Sequence, residues 1–149
     1  MKIEEEIKQK KFKSEYQKMY INLVYTANWM NTQQMRMFKE YGLSVQQYNI
    51  LRILRGQVPN AVNLGLIQDR MLDKNSNASR LIEKLKIKKL VERKESKIDR
   101  RQVDIMITEK GLDLLKKMDG KVEEAESINS NLTKQEAETL SDLLDKLRG

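Results

Sequence analysis

Residues 95–111 read ESKIDRRQVDIMITEKG. The run Val103-Asp104-Ile105-Met106-Ile107-Thr108 alternates apolar and polar side chains, the pattern of a half-buried strand. Ahead of it stand Lys97 and Asp99-Arg100-Arg101. A two-residue hairpin turn favours Asn-Gly or Asp-Gly, yet residues 95–110 contain no glycine. The stretch therefore sets two strands around a longer loop with adjacent arginines at its tip. Leu90-Val91-Glu92-Arg93-Lys94 supplies the first strand of that ribbon.

The basic residues concentrate around this ribbon. Residues 74–101 hold eleven Lys and Arg against four acids, an excess of seven. The rest of the chain carries eighteen of each sign, so the whole net charge of +7 lies in this window. A focused basic surface attracts polyanions. On charge alone, nucleic-acid binding and a merely solvated face both stand.

Composition narrows the classes further. The 149 residues suit a single domain. With 39% hydrophobic and 34% charged residues, the chain reads as soluble and folded. Six glycines and one proline favour long helices over a sandwich or barrel. There is no cysteine and no histidine, which removes disulfides, thiol chemistry, histidine bases and the usual zinc ligands. No catalytic constellation, metal or cofactor is expected. No apolar run nears the roughly 20 residues of a membrane span. The charged start MKIEEEIKQKKFK does not read as a signal peptide. A cytoplasmic protein is the expectation.

Helical periodicity covers the remainder. Phe12, Tyr16, Tyr20, Leu23, Ala27, Met30, Met37 and Tyr41 form one stripe and predict a single long helix from about Glu4 to Tyr41, stopped by Gly42. A helix this long outreaches the core of a small domain, so some of its stripe is expected to pack on another chain. Ser44 to Gln47 has the form of a capping box for a helix ending at Gly56, with Val45, Tyr48, Leu51 and Leu54 inward. A helix over about 63–72 carries Leu64, Ile67 and Met71 on one face. The next, expected from Asn75 to Lys89, turns Ala78, Leu81, Ile82 and Leu85 inward and Ser76, Ser79, Arg80 and Glu83 outward. Thr108 is the expected cap of a helix from Glu109 to about Asn129, with Leu112, Leu115 and Val122 apolar. Thr133 to Glu136 is a second capping box, opening a last helix with Ala137, Leu140, Leu143, Leu144 and Leu147.

Helix, turn, helix and then ribbon is the order of a winged helix-turn-helix. The fold class is mainly α (α+β), a single domain with a two-stranded wing. A major groove admits one helix, and a basic loop tip fits the narrower minor groove.

The run IQDRMLDKNSNASRLIEKLKIKKLVERKESKIDRRQVDIMITEKG, residues 67–111, resembles the core of the MarR (multiple antibiotic resistance regulator) family of transcription factors. Ser76 with Ser79-Arg80-Leu81-Ile82 and Leu90-Val91-Glu92-Arg93 match the family's recognition helix and first wing strand. Asp99-Arg100-Arg101 matches its Asp-x-Arg wing, and Ile107-Thr108-Glu109-Lys110-Gly111 matches the end of the second strand. LSVQQYNILRIL at 43–54 is similar to the preceding helix. One departure is Lys89, where the family commonly has glycine. A positive φ there costs a side chain about 1 kcal/mol, so either the helix ends differently or the strain is carried.

The resemblance implies a homodimer on a pseudo-palindromic double-stranded operator, with repression as the usual sign and activation as the other. Residues 1–41 and 112–149 would form long dimerisation helices at both termini, and 42–111 the DNA-binding lobe. Asn75, Ser76, Asn77, Ser79, Arg80 and Lys84 would meet the major groove and its phosphates. Arg101 would probe the minor groove, Asp99 would hold the loop or that arginine, and Arg100 and Lys97 would reach the backbone. The plain alternative is an exposed Asp99–arginine ion pair, worth about 0–1 kcal/mol. The resemblance also implies release by a small aromatic effector in a cleft, for which Tyr25, Trp29, Met30, Met35 and Tyr48 are candidates, although such side chains at helical spacing also read as core. An architectural or nonspecific DNA binder of the same fold is the rival function.

Overall fold

The computed structural model describes residues 1–128 and 131–149. The order of elements is α1 (Ile3–Glu6), α2 (Glu15–Lys39), α3 (Val45–Arg55), α4 (Leu64–Arg70), α5 (Ala78–Ile87), β1 (Val91–Glu95), β2 (Val103–Ile107), α6 (Glu109–Ile128) and α7 (Lys134–Arg148). This is the winged helix-turn-helix expected from the pattern of residues.

Local signals set most boundaries. The Ser44 hydroxyl accepts from the Gln47 N–H, and the Gln47 side chain returns to the Ser44 N–H, each at 3.1 Å. Thr133 and Glu136 close the same reciprocal box at α7. Gly42, at φ +70°, ends α2 as expected, and the Leu43 N–H reaches back to the Phe38 carbonyl at 3.1 Å. The expected end of α6 at Asn129 lies outside the described residues.

The first helix differs from expectation. It is not continuous from Glu4: a four-residue turn of helix, α1, is followed by a break, and α2 begins at Glu15. Lys8 adopts φ +54° and Ser14 caps α2 by accepting from the Gln17 N–H at 3.1 Å. A side-chain oxygen that satisfies a free amide of the first turn starts a new helix there, although the charge-rich run before it has fair helix propensity. The α1 segment folds back onto α2. Ile3 is buried, Lys18 pairs with Glu4 at 2.6 Å, and the Tyr25 hydroxyl donates to Glu6 Oε2 at 2.5 Å. The Lys18 ammonium holds the Glu4 carboxyl below its ordinary range, and the bond to Glu6 raises the Tyr25 phenol.

The core joins Phe38 of α2, Ile50, Leu51 and Leu54 of α3, Ile67 of α4, Ile82 and Leu85 of α5, Ile105 and Ile107 of β2, and Leu115 and Met118 of α6. Arg55 of α3 meets both carboxylate oxygens of Asp119 of α6 at 2.9 Å. Lys121 of α6 pairs with Glu40 at the end of α2 at 3.0 Å. Both pairs are partly solvated, so each adds about 0–1 kcal/mol and serves mainly to set orientation.

The stripe along α2 is uncovered in a single chain: Tyr16 is 83% exposed, and Tyr20, Leu23, Val24 and Met30 are exposed as well. Helix α7 buries none of its residues, leaving Leu140, Leu143 and Leu147 open. No helix among the described residues is long and apolar enough to cross a membrane.

The ribbon is antiparallel, pairing Val91 with Ile107, Arg93 with Ile105 and Glu95 with Val103. A third short piece, not foreseen, joins it: Val62 and Ile105 exchange two backbone bonds at 3.0 and 2.8 Å. One bridging residue leaves no period to read in a sequence. At the foot of the ribbon, the Leu90 carbonyl accepts from the Thr108 N–H at 3.0 Å. A Cβ added at Gly111 would lie 2.5 Å from that same oxygen and 2.6 Å from Ile107 Cγ1. Gly111→Ala should therefore destabilise the fold by about 1–3 kcal/mol through overpacking. Leu115→Ala, in a fully buried site, should cost about 2–5 kcal/mol. Urea unfolding of the two variants beside the unaltered chain measures both.

Candidate nucleic-acid interface

The site begins at the turn between α4 and α5. Asp73 accepts the Asn75 N–H on its side chain at 3.0 Å and the Ser76 N–H on its carbonyl at 3.2 Å. The Gln68 side chain of α4 donates to the carbonyls of Lys74 and Ser76 at 3.3 and 3.2 Å. The Leu72 N–H donates to Asn49 Oδ1 at 2.9 Å, tying the turn to α3. Asn77 then caps α5, its side chain accepting from the Arg80 N–H at 3.0 Å. Asp and Asn bind the backbone just after themselves and so hold it out of a helix.

This corrects the expected start of the recognition helix. It opens at Ala78, not Asn75, so Asn75, Ser76 and Asn77 lie in the preceding turn. Asn75 and Asn77 are exposed, and the Asn77 side chain is committed to its cap. Ser76 does not face outward: its Oγ is buried and has no hydrogen-bond partner among the described residues. The open face of α5 is formed by Ser79, Arg80 and Lys84, opposite buried Ala78, Ile82 and Leu85.

The helix ends through a bond from the Leu90 N–H to the Leu85 carbonyl at 3.0 Å. This closure puts Lys89 at φ +62°, so the strain of a non-glycine residue is carried here. Thr108 offsets it locally by donating to the Lys89 carbonyl at 2.8 Å, while its Oγ1 accepts from the Gly111 N–H at 3.1 Å. Lys88 reaches across to the Gly42 carbonyl and to Gln47 Oε1, which joins the end of α5 to the α2–α3 junction.

The glycine-free loop is held by side-chain oxygens. Ser96, only 7% exposed, accepts from the N–H groups of Ile98 and Asp99 at 3.2 and 3.3 Å. The Asp99 carboxylate accepts from the Arg101 N–H at 2.9 Å. The Gln102 N–H donates to the Asp99 carbonyl at 2.9 Å, and the Ser96 N–H to the Gln102 carbonyl at 3.0 Å. Asp99 thus supports the loop through backbone. Among the described residues it forms no ion pair with Arg100 or Arg101. Sequence reasoning does not single out Ser96, although a serine two positions before a loop apex is a known turn former.

All eleven basic side chains of residues 74–101 are exposed. Arg93 pairs with Glu83, and Lys94 with Glu92 at 3.4 Å. Arg80, Lys84, Lys97, Arg100 and Arg101 engage no acid among the described residues, so their charge is available to a ligand. Ser79 of α5 and Arg101 of the wing border one groove of about 400 Å³, with Asn63, Leu64, Gly65 and Arg93 around it. The helix face, through Ser79, and the wing loop, through Arg101, therefore meet at one groove.

The five expected cleft residues are not brought together within the chain. Tyr48 is a core residue, 7% exposed, with its ring centroid 4.1 Å from that of Phe38. Burial raises its phenol pKa. It packs into the core from the inward stripe of α3. Tyr25 and Trp29 line a shallow hollow of about 270 Å³ beside α1, while Met30 and Met35 stand exposed on α2.

The family model for transcriptional regulator SarA/Rot matches residues 34–118, a span that runs from the end of α2 through the wing into α6. A MarR transcription factor from Planctomyces limnophilus is 31% identical, covering 92% of this chain and 95% of that one, with a TM-score of 0.69. The chain belongs to the MarR and SarA/Rot family of transcriptional regulators. Two further solved relatives share the fold. The S. aureus MepR protein, solved with DNA, is 20% identical over 92% of this chain and 97% of that one, TM-score 0.77. The Bordetella bronchiseptica BpsR protein, whose DNA binding is regulated by 6-hydroxynicotinic acid, is 22% identical over 86% of this chain and 99% of that one, TM-score 0.68. No curated protein matches the chain. As a MarR and SarA/Rot regulator, the chain is a DNA-binding protein.

Two outcomes check the local geometry of this regulator. Lys89→Gly should raise stability by about 1 kcal/mol, because glycine adopts positive φ without the Cβ penalty; chemical denaturation reads it. Ser96→Ala should speed hydrogen exchange at the amides of Ile98 and Asp99 while leaving the amides of α3 and α6 protected.

Proposed function

We propose that this regulator is a homodimeric repressor of a pseudo-palindromic operator. The observation that carries the reading is the groove that Ser79 of α5 and Arg101 of the wing border together, with Arg80, Lys84, Lys97, Arg100 and Arg101 exposed and in no ion pair among the described residues. In this reading Ser79 and Arg80 meet base edges in the major groove, with Asn75 and Asn77 at its margin and Lys84 on phosphate. Arg101 enters the minor groove, where an A·T tract concentrates negative potential. Arg100 and Lys97 lie on the backbone beside it, and Asp99 shapes the loop.

The dimer is supported by the uncovered α2 stripe and by α7, an amphipathic helix that buries nothing in a single chain. Residues 1–41 and 112–149 would supply that interface and 42–111 the DNA-binding lobe. A two-fold axis would set the two recognition helices roughly 34–36 Å apart, one turn of DNA. A small aromatic effector would act by favouring one spacing of the lobes over another. For BpsR such a compound regulates DNA binding; here the hollow beside Tyr25 and Trp29 is the place to seek it.

Arg80→Ala and Arg101→Ala should each weaken binding to a selected operator by about 1–3 kcal/mol, and loss of a phosphate contact should lower the salt slope by about one. Fluorescence anisotropy across a salt series measures this, and wild-type affinity in both variants would exclude the assigned contacts. A Tyr20→Glu, Leu143→Glu double variant should sediment as a monomer and lose cooperative operator binding.

A further inference from the structure

We propose that Ile98 is an apolar wedge that the wing drives into the minor groove, opening a base step and bending the operator. The inference rests on the DNA-binding reading above and adds a residue and a mechanical consequence to it.

Ile98 is 99% exposed at the apex of the loop. Its side chain therefore does nothing for the packing of the described residues. Scattered apolar residues are ordinary on protein surfaces, but three features set this one apart. It is presented by a built turn: buried Ser96 accepts from the amides of Ile98 and Asp99, Asp99 accepts from the Arg101 amide, and the Asp99 carbonyl accepts from the Gln102 amide. Its branched Cβ restricts χ1, so the side chain loses little freedom on contact. It is also flanked by Lys97, Arg100 and Arg101, which are exposed and outnumber the one neighbouring acid, Asp99, with which they form no ion pair among the described residues. The charge beside the apex matches a polyanion, and an apolar protein surface would have to desolvate those cations without neutralising them.

A duplex can accept such a tip. Branched aliphatic side chains inserted from the minor groove unstack neighbouring base pairs and kink the helix away from the protein. Pyrimidine–purine steps yield most readily. The arginines would then hold the phosphates and groove walls on either side of the step, and the isoleucine would fill the gap between bases. Specificity at that step would arise from deformability rather than from hydrogen bonds to base edges.

The probe for the test is a 30-base-pair duplex selected from a random library by the full-length wild-type chain, labelled at both ends with a donor and an acceptor fluorophore. A second copy carries 2-aminopurine at successive positions under the wing. Wild type should shorten the end-to-end distance and raise 2-aminopurine fluorescence at one step. Ile98→Ala should bind about tenfold more weakly, as expected for one aliphatic side chain left unburied, with the duplex straighter and the fluorescence rise lost. Its salt slope should match wild type, since no charge is removed, whereas Arg101→Ala should lower that slope. Ile98→Leu should restore affinity and bend. Because the side chain is almost fully exposed in the folded chain, the Tm of each Ile98 variant should be unchanged. An Ile98→Ala variant with wild-type affinity and wild-type bend would overturn the wedge while leaving the DNA-binding reading intact. A wild-type chain that selects no duplex at all would overturn both.

Discussion

The wing stands on one close approach, the Leu90 carbonyl bonded to the Thr108 amide and occupying the space a Cβ at Gly111 would need. Three segments converge there: the entry to β1, the exit of β2 and the first turn of α6. A side chain at residue 111 would push them apart, and the ribbon would lose its fixed angle to the helices beneath. Thr108 strengthens the junction from both sides, donating to the Lys89 carbonyl and accepting from Gly111. The positive φ of Lys89 is a consequence of the same convergence, because the chain must reverse between α5 and β1 within a few residues.

From that foot the ribbon carries the loop outward, and a second set of hydrogen bonds shapes its tip. Glycine would give such a loop freedom. Ser96 and Asp99 instead commit their side-chain oxygens to backbone amides, which leaves Lys97, Arg100 and Arg101 without an acidic partner among the described residues. The carboxylate that could have neutralised the arginines is engaged elsewhere, so the loop is ordered and cationic together. The same division holds on α5, where Asn77 serves the helix while Ser79, Arg80 and Lys84 face outward.

Much of this is legible in order along the chain. The wing strands follow from alternation at 103–108, and the caps at Ser44 and Thr133 follow from side-chain chemistry three residues apart. The stop at Gly42 and the inward face of α5 follow in the same way. The break after α1 is hidden in the sequence because Ser14 sits among charged residues that support helix on either side. The expected start of α5 at Asn75 fails because Asp73 and Asn77 capture nearby amides more effectively than helix periodicity can express. Periodicity places Tyr48 on the buried side of its helix and also makes it a candidate for a cleft; in the single chain its ring packs against Phe38 in the core.

The sequence by itself determined the class of fold, the helix caps at Ser44 and Thr133, the wing and the place of the positive charge. Each of these depends on neighbours within a few residues or on a simple period. Only the tertiary structure decided that Ser76 turns inward, that Val62 bridges to Ile105, that Gly111 must lack a Cβ, and that Ile98 stands out in solvent. Those facts depend on how segments far apart in the chain meet in space, and no local spacing of residue types encodes that distance.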